Sequence, residues 1–139
     1  MPVEIRRLLP GDEAILDCVA ADVFDEAIDV KRRAAYLAEP GHHMIVAIKD
    51  GEVVGQCAAV VHRHPDKVTE LYIDEVGVTP ALHRQGIARE MLDAMFALGK
   101  SLGCEEAWVG TEPDNMAARA LYASYGAPAE AIVMYVLDL

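Results

Sequence analysis

The chain has 139 residues, 53% of them apolar, enough for one compact domain with its own core and too hydrophobic for a disordered polymer. Lys and Arg number 12 against 23 Asp and Glu, a net charge of −11, which repels a phosphate backbone, argues against nucleic acid and favours a cationic partner. No apolar run approaches the roughly 18–20 residues of a membrane span, and Met1 to Arg7 lack the ordered charged, apolar and small segments of a signal peptide. A cytoplasmic protein with no membrane contact is therefore expected. Cys18, Cys57 and Cys104 are far apart and form no CxxC pair, so they read as buried free thiols rather than a disulfide or zinc framework.

Val3 to Leu9 can form a first strand. Pro10-Gly11-Asp12 offers a turn and a helix cap, and Ile15, Leu16, Val19, Val23 and Phe24 follow at helical spacing. After the acids Asp25 to Asp29, Val30 to Glu39 reads as a second short helix ended by Pro40-Gly41. His43 to Ile48, the hairpin signal Asp50-Gly51, Glu52 to His62, and Thr69 to Val78 describe an antiparallel meander.

Beyond Thr79-Pro80 the period changes. Ile87, Met91, Met95, Leu98 and Leu102 lie on one face of a helix over Gln85 to Leu102, capped by Gly103. Glu106 to Thr111 reads as a short buried strand containing Trp108. Asp114-Asn115 opens a helix that runs to Tyr125, and Ile132 to Leu139 reads as a closing strand. The order β-α-α-β-β-β-α-β-α-β predicts one α/β domain over residues 1–139, with a mixed, mostly antiparallel sheet of six to seven strands and helices on both faces.

The junction Thr79 to Ala88 concentrates the chemistry. A helix start leaves about four backbone N–H groups unpaired and carries roughly half a positive charge. Gly86 and Ala88 let a diphosphate approach, and Arg84 and Arg89 add cations. By spacing alone, an ordinary strand–helix turn explains the segment equally well. The absence of GxxxxGK[ST] and of GxGxxG after a strand disfavours a nucleotide triphosphatase or a dinucleotide dehydrogenase.

Val76-Gly77-Val78-Thr79-Pro80 leading into Arg84-Gln85-Gly86-Ile87-Ala88, with Asn115-Met116-Ala117-Ala118-Arg119-Ala120-Leu121-Tyr122 and Gly126 further on, resembles the GCN5-related N-acetyltransferase superfamily across essentially the whole chain. Within it, Glu70 to Val78 and Val133 to Asp138 are similar to the small aminoglycoside 3-N-acetyltransferases, an antibiotic-resistance activity. One departure is His83, where the phosphate motif usually has Arg or Gln.

The resemblance implies acetyl-CoA as co-substrate, held by Val76, Val78, Arg84, Gln85, Gly86, Ile87, Ala88, Arg89, Asn115, Ala118 and Tyr122. It implies Glu75 as the base that deprotonates the amine and Tyr122 as the acid that protonates the leaving thiolate. A backbone N–H near Val76 can stabilise the carbonyl oxygen if the strand splays there. Asp74 lies on the other face from Glu75 unless a bulge intervenes. Asp25, Glu26, Asp29, Asp74 and Glu112 are candidates to hold a small polycationic amine, aminoglycoside-like in the first reading. A protein N-terminus, polyamine or amino acid is the alternative acceptor, and a non-catalytic acyl-CoA-binding module is the alternative function. Dimers are common in the superfamily, the sole ground for expecting a homodimer. No metal is expected: His62 and His64 share a strand face, with His42 and His43 as further candidates, but no carboxylate or cysteine evidently completes a site.

Overall fold

The computed structural model describes residues 2–139. Five strands form one sheet in the order β1-β2-β3-β4-β5: β1 (Glu4–Arg7), β2 (His42–Lys49), β3 (Glu52–His62), β4 (Glu70–Val78) and β5 (Glu106–Val109). The first three pairings are antiparallel and β4–β5 is parallel. The α+β class and the mixed, mostly antiparallel sheet are as expected. The count of six to seven strands is corrected to five.

Alternate residues of β3 feed two cores. Cys57 and Ala59 pack with Ile87, Met91, Leu92 and Met95 of α2 (Ile87–Ser101). Val53 and Ala58 pack on the other face with Leu16, Val23 and Leu37, the last from α1 (Val30–Ala38). Met91, Leu92 and Met95 are completely buried, each worth about 1.5–3 kcal/mol of apolar transfer. A third helix, α3 (Met116–Ala123), follows β5.

Two expected elements are replaced. The helix over Ile15 to Phe24 shrinks to a 3₁₀ turn at Glu13–Asp17. The chain then runs alongside β3: Val19 bridges Val53, Val53 N–H donates to Cys18 O, and Ala20 N–H donates to Val53 O. Bonding to an existing strand outcompetes the helical propensity of this short segment. The closing strand, Ile132 to Leu139, is absent. Residues 127–139 carry no regular structure, and Ile132 to Leu137 are 73–82% exposed. A continuous apolar run forms a strand only where neighbouring strands or a core cover it, and nothing among the described residues covers this one. β5 is also less buried than expected, with Trp108 43% exposed.

Gly77 fixes how the connection between the 3₁₀ turn and α1 lies on the sheet. A Cβ there would stand 2.3 Å from the Val23 carbonyl oxygen, so only glycine admits this backbone contact. Gly77→Ala should cost on the order of 1–3 kcal/mol, read as a lower urea midpoint at unchanged m-value.

Candidate active site

The β3–β4 register slips between Ala58 and Ala59: Ala58 faces Glu75, and Ala59 faces Ile73. Asp74 is the extra residue of a β-bulge. Ala58 and Ala59 belong to opposite cores, so Glu75 is carried to the α1 face while Ile73 stays on the α2 face. This is the bulge that the alternation argument required if Asp74 and Glu75 were to act together. Asp74 is exposed and Glu75 half-buried. Both also act on Tyr36 of α1: burial first, then Asp74, with Cys57 and Glu75 adding, push its phenol far above its ordinary range.

The Glu75 carboxyl is raised above its ordinary value by burial, then by the charges of Asp25 and Asp74, against which the Gln56 amide favours the ionised form. Gln56 is completely buried, and its Nε2 donates to Val23 O at 3.4 Å. The same Val23 carbonyl lies against Gly77. Together these contacts fix the connection that carries Asp25 near Glu75.

Between the 3₁₀ turn and α1 opens a cleft of about 510 Å³ whose lining includes Asp17, Asp22, Asp25, Glu26 and Arg33. Asp17 is paired with Arg33 at 2.6 Å, which leaves three acids facing the cleft without a cationic partner. Of the expected amine ligands, Asp25 and Glu26 line this cleft, and Asp29, Asp74 and Glu112 do not. Asp29 caps α1, its Oδ1 accepting from Arg32 N–H at 2.8 Å, and Glu112 lies in the loop between β5 and α3, outside the cleft lining.

Sequence reasoning missed an aromatic pair. Tyr72 faces Val60 of β3 and Trp108 of β5, on the same side as Glu75, and the two rings stack at 4.2 Å between centroids. A half-exposed indole next to acids is a surface on which a cation or a sugar ring can rest. The signal available beforehand was that the chain's one tryptophan sits in a strand beside the acidic end of β4.

The opposite side of β4 is open. Its pairing with β5 ends at Ile73↔Val109, although β4 continues to Val78. Thr79 N–H donates to Val54 O of β3. Since N–H direction alternates along a strand, the Val76 and Val78 N–H groups point into the gap where β5 has diverged. The splay expected near Val76 is present.

That gap leads to the start of α2. Asn115 and Asp29 cap their helices with side chains, whereas α2 begins at Gly86 without one, leaving its first amides free of a side-chain acceptor. Gly86 has φ +78°, and a Cβ there would meet nothing within 4 Å. Glycine is needed for the left-handed turn, and the space above it is open. Arg84 also has positive φ (63°), a strained conformation of the kind found at ligand sites. Together the two left-handed residues shape a concave run of amides suited to phosphate oxygens. Arg84 and Gln85 are exposed, Ala88 is half-buried, and Ile87 is core and can offer only its backbone. His83 departs from the motif for a visible reason: its Nε2 donates to Val78 O at 2.7 Å, tying the loop to the end of β4.

Arg89, expected as a phosphate ligand, is engaged by the residues that end α3. Its guanidinium lies 4.6 Å from the centre of the Tyr125 ring and hydrogen-bonds Ser124 Oγ. Tyr125 in turn donates to Asp93 Oδ1 at 2.6 Å, so this group fastens α3 to α2. Asn115 Oδ1 accepts from Ala118 N–H at 3.1 Å, the cap expected of it. Tyr122 is half-buried against the α2-face core. Burial, and then the nearby Cys57, raise its phenol above the ordinary value. Cys57 faces Val76 across the ladder, which puts Tyr122 near the splayed segment.

Residues 12–127 match the model of the acetyltransferase (GNAT) family. The chain belongs to the acetyltransferase (GNAT) family. It is 28% identical over 106 residues to uncharacterized N-acetyltransferases of Mycobacterium tuberculosis and Mycobacterium bovis, a match covering 76% of this chain and 65% of theirs. The chain thus spans about two thirds of the length of these curated relatives. Among solved structures, an aminoglycoside acetyltransferase from an uncultured soil metagenomic sample superposes over all of both chains, with a TM-score of 0.83 and 21% identity. The aminoglycoside acetyltransferase AAC(6')-Iy, solved with a bisubstrate analogue of CoA and acetylneamine, superposes over all of both chains with a TM-score of 0.81 and 17% identity. These likenesses share the fold of this GNAT domain. Among the described residues, no helix is long and apolar enough to cross a membrane.

Proposed function

We propose that the chain is an acetyl-CoA-dependent N-acetyltransferase that modifies a primary amine of a small polycationic acceptor, aminoglycoside-like in chemistry. The observation that carries this reading is the Asp74 bulge. It turns Glu75 to the α1 face of the sheet, within the electrostatic influence of Asp25 from the acidic cleft, on a strand whose other edge is splayed open. GNAT acetyltransferases bind acetyl-CoA, and the residues present suit it: Val76 and Val78 N–H for the pantetheine amides, the Gly86 turn and the uncapped start of α2 for the diphosphate. Arg84 would add charge there.

In this reading Asp22, Asp25 and Glu26 hold the ammonium groups of the acceptor, and Tyr72 with Trp108 supports its rings. Glu75 takes the proton of the reacting ammonium. The neutral nitrogen attacks the acetyl carbon, the C–N bond forms and the C–S bond breaks. Tyr122 hydrogen-bonds the departing sulfur. Its raised pKa keeps it protonated at neutral pH and makes full proton transfer to a thiolate, already a weaker base than phenolate, more uphill still. Its contribution is a hydrogen bond that strengthens as charge develops on sulfur, with water completing the protonation.

The test is incubation with acetyl-CoA and a mixed library of aminoglycosides, polyamines, amino acids and N-terminal peptides, read by mass spectrometry. Aminoglycosides are expected to gain 42 Da, about the mass of one acetyl group less the displaced proton. Acetylation confined to peptides or amino acids would reassign the acceptor. Thermal stabilisation by acetyl-CoA with no acetylated product would leave a non-catalytic binding module.

A further inference from the structure

The β3–β4 ladder ends with His62 directly opposite Glu70. His64, two residues beyond the strand, folds back so that its ring lies 4.2 Å from that of His62, and its Nε2 is 2.9 Å from Glu70 Oε1. One ligand atom from each of the three residues falls within 4.8 Å of the other two. The carboxylate that the pattern of histidines lacked in sequence is thus supplied from the next strand by register. His64 and Glu70 are only 14% and 16% exposed, so water competes weakly for them.

The geometry points to a divalent transition-metal site, with zinc as the best match, formed by His62, His64 and Glu70. Two imidazoles and one carboxylate are a donor set that zinc accepts, with water or another ligand in the fourth position. Bonds of about 2.0–2.2 Å require donors about 3.3–3.6 Å apart in a tetrahedron. The His64–Glu70 edge, 2.9 Å as a hydrogen bond, opens by a few tenths of an ångström when a metal replaces the shared proton, and the His62 donor, within 4.8 Å of both, closes in. An ion pair alone would account for His64 and Glu70 but not for His62 held over His64.

Glu70 precedes Glu75 by five residues of strand, about 16 Å, so this site lies away from the proposed reaction. Its effect is to staple the connection between β3 and β4, where residues 63–69 belong to neither strand.

The test is titration of the untagged, chelator-treated 139-residue chain with zinc chloride by calorimetry, followed by thermal unfolding with and without the metal. One zinc per chain with submicromolar affinity and a raised unfolding midpoint is expected. His62→Asn and Glu70→Gln should each weaken binding by at least about tenfold, while the circular dichroism of the metal-free variants stays that of the parent. The Co(II) form should show the intense visible bands of a four-coordinate ion. Weak or superstoichiometric binding would overturn the site. So would binding that survives His62→Asn/Glu70→Gln, which would place the metal elsewhere, such as at His42 and His43.

Discussion

Glu75→Gln is expected to lower kcat/KM for the amine by about 10²–10³-fold near neutral pH and, at the same time, to stabilise the fold. Both effects come from one environment. Burial, Asp25 and Asp74 all disfavour the Glu75 carboxylate, so its folded-state pKa lies above its unfolded one. For an acid shifted upward, the linkage favours folding below the unfolded value, and that advantage is lost as pH rises through the folded value. At pH 7 the ionised Glu75 therefore works against stability, and the neutral isostere removes that opposition. The parent enzyme should lose activity as pH falls through the raised pKa, because the base becomes protonated. The Gln variant should lack that limb. Its deficit should narrow in the alkaline range, where free amine forms without help. Rate against pH and a thermal midpoint at pH 7 check the two halves separately. A deficit that is flat across pH, or a lowered midpoint, would remove Glu75 as the base.

Tyr122→Phe should reduce kcat by about 100-fold while KM for acetyl-CoA changes by less than about threefold. Phenylalanine retains the packing against the α2-face core, where Tyr122 lies half-buried, so a fall in kcat alone isolates the hydroxyl. The effect should be smaller with an acyl donor whose leaving thiol is more acidic, since that sulfur needs less help. An unchanged kcat would show that solvent alone meets the sulfur, and the role of Tyr122 would reduce to packing.

What sequence makes legible is local. Ile87, Met91 and Met95 repeat at helical spacing and are buried as that spacing requires. Gly86 opens the helix, and Asn115 caps the next one as expected. What it hides is decided between segments. Nothing in Ile73-Asp74-Glu75 announces that Asp74 is left out of the ladder, because a bulge depends on which residue of β3 lies opposite. Glu70 and His62 meet through the same register. The segment after Asp17 has the apolar spacing of a helix, yet Val53 offers backbone bonds that the helix would forgo. Arg89 reads as a phosphate ligand until Tyr125, 36 positions later, arrives beneath it.

The final stretch of chain has a consequence of a different kind. Ile132, Val133, Met134, Tyr135, Val136 and Leu137 lie in sequence, and all are at least 73% exposed. They add nothing to either core, so they contribute little to the free energy of unfolding. Their influence falls on colloidal behaviour instead. β-branched and aromatic residues in an uncovered run are the composition from which intermolecular ribbons nucleate. Asp138 follows that run, and Glu130 precedes it. These two flanking charges, together with the large negative charge of the whole molecule, act as gatekeepers that keep such ribbons apart.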